Sequence, residues 1–129
     1  MKRFLIGIAV YGLVSILFGP AGLAEDGKKG TVTGELVDTA CYLQMDAKGA
    51  GHQKCAAKCA KSGIPVGVLD EKSGKVFTIA AAAGTFADSM AMTARVTGDI
   101  FEGSHVIAPE KVEVKGADGN WKAIQLPEH

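Results

Sequence analysis

The stretch "ARVTGDIFEGSHVIAPEKVEV", Ala94–Val114, carries two β-strands in succession and decides how the rest of the chain is read. Strand character enters with "TARVTGDI", and "SHVIAPEKVEV" supplies the next strand. Beyond it, "NWKAIQL" from Asn120 reads as one more, joined across the tight-turn sequence "KGADGN". On the other side, "IPVGVLDEKSGKVFTIAA" holds the apolar runs Val66 to Leu69 and Val76 to Ile79 around the turn-forming "DEKSGK", which predicts a hairpin. Between hairpin and closing strands, "GTFADSMAM" predicts one or two helical turns, with Thr85 as N-cap and Asp88 three residues on.

Earlier still, "TVTGELVDTACYL" from Thr31 to Leu43 begins by alternating Val32, Gly34 and Leu36 against Thr31, Thr33 and Glu35, and reads as a first strand. The polar, glycine-bearing "QMDAKGAG" follows, and then His52 to Ser62 carries alanine, lysine and glutamine with no β-branched residue, a short helix. Gly63 at C′ and Pro65 two residues later stop it.

Five or six short strands in about 105 residues, with a helical segment between the third and fourth, resemble the small Greek-key barrels of the oligonucleotide/oligosaccharide-binding (OB) type. The expected fold is mainly β with one or two short helices, an OB-like barrel with a helical insertion between strands 1 and 2. That fold alone assigns no function.

At the N-terminus, Lys2 and Arg3 precede the apolar run Phe4 to Phe18, and "GPAGLA" leads into Glu25. This is the layout of a secretory signal over residues 1–24, cleaved after Ala24. The apolar core falls short of the roughly 20 residues of an ordinary membrane span, so membrane attachment is expected only if the segment is retained. The domain plan is a signal at 1–24, a flexible segment at 25–30 and one OB-like domain at 31–126, exported to the periplasm or beyond.

The signal removes two of the 14 basic residues and none of the 14 acidic ones, so the mature chain carries about −2. Such a balance, with few aromatic side chains, gives no general attraction to nucleic acid. Neither a serine-histidine-acid order, a paired-carboxylate motif nor a phosphate-cradling glycine loop is legible, so the sequence favours a binding module over an enzyme.

The remaining signal is "GHQKCAAKCAKSGIP", Gly51 to Pro65. On a helix turning about 100° per residue, His52, Cys55 and Cys59 project within an arc of roughly 60°, while Lys54, Lys58 and Lys61 fall on the opposite side. Cys41, at the end of the first strand, could close the set from a facing element. Three thiols and one imidazole are the ligand set of a closed tetrahedral zinc site and also suit Cu(I). Asp38, three residues before Cys41, could orient His52.

Other readings of the same residues stay open. The chain has 3 cysteines, and outside the cytoplasm Cys41 could pair with Cys55 or Cys59 in a structural disulfide, leaving one thiol over. The molecule would then be a disulfide-stabilised barrel that binds a small ligand, a glycan or a partner protein. A redox-active pair is the third possibility, although Cys55 and Cys59 are not spaced C-x-x-C, and no C-x-x-C-H haem motif is present. Met45, Met90 and Met92 offer thioethers to copper but more often fill cores. His105 reads as structural or exposed, and His129 ends the chain. The combination "GELVDTACYL" followed by "GHQKCAAKCAKSGIPVGVL" also resembles small exported bacterial domains of no assigned activity, with a Cys … His-x-x-Cys-x-x-x-Cys constellation. That resemblance implies that Cys41, His52, Cys55 and Cys59 form one unit.

Overall fold

The computed structural model describes residues 24–128. All but the last residue of the signal-like segment, and His129, lie outside them. Six strands form, β1 (Lys28–Asp38), β2 (Val66–Asp70), β3 (Val76–Ile79), β4 (Thr93–Phe101), β5 (Val106–Lys115) and β6 (Trp121–Ile124). β1 pairs antiparallel with β2 through its C-terminal half and with β4 through its N-terminal half. β2 pairs with β3, β4 with β5, and β3 closes the ring by running parallel to β5 at Thr78↔Val106 and Ile79↔Ile107. The circuit 1-2-3-5-4-1 is that of a closed five-strand OB-type barrel. β6 is added to β5 beyond the point where β3 leaves it.

The alternation read in the first strand does what period-two patterning requires, turning Val32, Gly34 and Leu36 inward. Leu36, Val68, Phe77, Ile79, Val96, Ile107 and Val112 fill the interior, each at most 4 % exposed. A 3₁₀ segment, Ala83–Ser89, lies between β3 and β4 and adds Phe86 and Ala87 to the core. Its first turn follows Ala82, so Thr85 sits inside it and is not the N-cap.

β1 serves two partners, and the two pairings overlap at Gly34 and Glu35, with Gly34 facing Asp70 on one side and Ala94 on the other. A Cβ there would lie 1.7 Å from the carbonyl oxygen of Leu69. Gly98 plays the matching part beside the register shift between β4 and β5, with the Ala108 carbonyl 1.9 Å from an ideal Cβ.

Two departures from the sequence reading concern the ends of β1. Pairing begins at Lys28, within the segment expected to be flexible, and Glu25 accepts hydrogen bonds from the backbone N–H groups of Gly103 and Ser104. At the other end the strand stops at Asp38, not Leu43. Thr39–Met45 is a helix, α1, so the insertion between β1 and β2 holds two α-helices instead of one. The second, α2, runs Gln53–Lys61 and is preceded by the 3₁₀ turn Ala50–His52. His105, expected to open a strand, lies in the turn before β5 at φ 52°, its ring edge-on to Phe77. Among the described residues no helix is long and apolar enough to cross a membrane.

Candidate metal centre

The insertion leaves and rejoins the barrel at one point. The N–H and the hydroxyl of Thr39 both donate to the carbonyl of Pro65, each at 3.0 Å. From there the chain departs as α1, and Asp38 is its N-cap, Oδ1 accepting the N–H of Cys41 at 2.9 Å. That bond fixes Cys41 in the first turn of α1 and not on a strand. Asp46 ends the helix in the left-handed region at φ 52°.

α2 docks on the barrel by its small residues. Ala56 and Ala60, four apart, are buried, while Lys54, Lys58 and Lys61 are exposed. Cys55 and Cys59 form the adjacent row, Cys55 exposed and Cys59 half-buried. The stop signal operates as a Schellman cap, with Gly63 at φ 88° donating to Ala60 and Ile64 donating to the carbonyl of Cys59, both at 3.0 Å.

The result is a convergence from two helices. The sulfur atoms of Cys41, Cys55 and Cys59 lie within 4.8 Å of one another. A second group, in which ligand atoms of Asp38, Cys41 and His52 lie equally close, shares Cys41 with the first. The three thiols and the imidazole thus lie in a geometry that could hold a metal, with Cys41 at its hinge. All three cysteines carry free thiols here. Their chemistry is that of a soft-metal donor set.

Asp38, which base rates place at the surface, is fully buried. Its Oδ2 lies 3.0 Å from Nε2 of His52. Burial opposes its ionisation, but the Cys41 N–H, the His52 ring and the Cys41 thiol together outweigh burial and hold the carboxyl below its usual range. The thiols respond in the opposite sense. Desolvation, then the Asp38 carboxylate, pushes the Cys41 thiol up to about 12, and the same two causes raise Cys59. Both therefore carry their protons at neutral pH until something displaces them. The lysines of α2, which the helical arc set opposite the thiols, are not among the main influences on either.

The methionines divide by location. Met90 is in the core, Met92 packs against it, and Met45 is exposed at the end of α1. A narrow surface crevice, with no room for a water-sized sphere, lies beside His52 and is bounded by Glu35, Lys48 and Gly49 among others. Sequence reasoning missed α1 itself, although Asp38 followed by Ala40, Leu43, Gln44 and Met45 is a cap followed by helix formers. No protein-family model, curated protein or solved structure matches the chain.

Proposed function

We propose that this is an exported module that binds a soft metal ion, Zn(II) or Cu(I), through Cys41, Cys55 and Cys59 with His52 beside them. The observation that carries the reading is the approach of three free thiols from two separate helices to within 4.8 Å. Free cysteines have no general reason to gather, and thiolates are the donors that such ions prefer. Export rests on the basic start, apolar core and "GLA" end of residues 1–24, which make Glu25 the first residue of the mature protein.

Mass measurement of the purified protein under native and denaturing conditions tests this directly. A one-to-one metal adduct that disappears on denaturation supports the proposal. The same closeness of sulfur atoms favours a second reading, because an oxidising compartment would let two of them join. A two-hydrogen mass deficit that persists under denaturing, non-reducing conditions would make the molecule a disulfide-stabilised barrel that binds a small ligand, glycan or partner protein.

A further inference from the structure

The ligand atoms of the imidazole and of the three thiols fall into two groups that share only Cys41. The group that contains His52 is completed by Asp38 and Cys41, and not by the two thiols of α2. The backbone explains why. His52 ends a 3₁₀ turn and sits at the N-cap of α2, with φ −97° and ψ −8°, one residue before the regular helix that carries Cys55 and Cys59. Its ring points to the end of β1, where Asp38 receives Nε2 at 3.0 Å.

Asp38 is an unyielding anchor. It is fully buried, its other oxygen is taken by the Cys41 N–H, and its backbone lies in the ladder opposite Val66. The bond to Asp38 uses Nε2 and leaves Nδ1 free, so what sets His52 apart from the α2 thiols is the placing of its ring with Asp38 and Cys41 and not with Cys55 and Cys59. Zn(II) in a closed site takes four protein ligands. Cu(I) is satisfied by three thiolates, and three is the number that converge here without disturbing Asp38.

Resting on the metal-binding reading above, we propose that Cys41, Cys55 and Cys59 form an all-sulfur, three-coordinate site for Cu(I). His52 stays off the metal as the partner of Asp38. In this arrangement Asp38 and His52 are positioning residues, because they fix Cys41 and make no bond to the ion. On binding, three thiols become thiolates and their protons pass to solvent, and the copper stays Cu(I) throughout.

The test uses the full mature chain, reduced and handled without oxygen. It is titrated with Cu(I) in competition with a chromophoric Cu(I) chelator and then measured by X-ray absorption at the copper edge. The expected first shell is three sulfurs and no nitrogen. His52→Ala should weaken Cu(I) binding by no more than the ~10–100-fold typical of a residue that only supports a ligand, since it removes no ligand. Cys55→Ser should weaken it by more than the ~100-fold upper range seen for residues that only support a ligand. Cys55 is exposed, so this variant keeps the fold.

A nitrogen scatterer in the copper shell, or a loss in His52→Ala as large as that in Cys55→Ser, would overturn the three-coordinate assignment and leave soft-metal binding standing. Failure to take up either Cu(I) or Co(II) would sink this proposal and the metal-binding reading together.

Discussion

The carboxylate of Asp38 lies 3.0 Å from Nε2 of His52, and no part of its side chain reaches solvent. One residue thereby ends a barrel strand, caps a helix and holds a ring beside Cys41. Asp38→Ala should cost about 2 kcal/mol of stability through the lost cap and the stranded partners, measured by urea unfolding. Asp38→Asn keeps the shape and loses the charge. It should show a smaller loss at neutral pH, together with a lower thiol pKa at Cys41, readable from the pH dependence of alkylation.

Metal uptake should release protons. With Cys41 held near 12 and Cys59 also raised, both thiols enter the reaction protonated at neutral pH. Affinity should therefore fall as pH falls, because protons compete for the same sulfur atoms. Titration in weak buffer with a pH-sensitive dye would register the release, and a proton-neutral uptake would contradict thiolate ligation.

Far from the thiols, Glu113 accepts from Arg95 through two bonds, 2.6 Å from Nε and 3.1 Å from Nη2, and Lys111 approaches to 3.0 Å. Arg95 also stacks 4.4 Å from the Trp121 ring, tying β6 to the barrel. The Arg95 bond, then Lys111, lowers the Glu113 carboxyl from 4.5 to about 2. A depressed folded value stabilises the fold above the unfolded pKa, and that contribution is lost as pH falls from 4.5 toward 2. Glu113→Gln should flatten the stability profile in that window, and NMR should find the wild-type carboxyl titrating near its lower edge.

Gly34→Ala would place a methyl group 1.7 Å from the Leu69 carbonyl, at one of the two positions, with Glu35, where β1 is paired on both sides. Backbone cannot yield as a side-chain tip can. The substitution should cost ~3 kcal/mol or more, seen as a lowered Tm or as insoluble protein.

The parts of the fold that were legible are those governed by neighbours in sequence. The β2–β3 hairpin shows as two apolar runs around "DEKSGK", and the end of α2 shows as Gly63 and Pro65. The parallel pairing of β3 with β5 has no such signature, because it joins Thr78 to Val106 across a distant stretch of chain. α1 was hidden because Thr39, Cys41 and Tyr42 continue the strand-like composition of β1 while the N-cap reverses its conformation. Spacing alone set Cys55 and Cys59 together, whereas His52, from the same short stretch, falls beside Asp38 and Cys41. The depth of Asp38 was not legible, since burial of a carboxylate is decided by what tertiary structure packs around it.

The double hydrogen bond from Thr39 to the Pro65 carbonyl has a consequence for how the molecule opens. Because both ends of the insertion are pinned by the barrel, residues 39–65 can unravel and re-form as a local unit without separating any strands. Apart from Ala56 and Ala60, the insertion offers little apolar surface to resist this. A metal ion bridging Cys41 to Cys55 and Cys59 would act as a clasp across the two helices. Amide exchange should then slow over 39–65 on metal loading, while the rates in the barrel strands stay where they were.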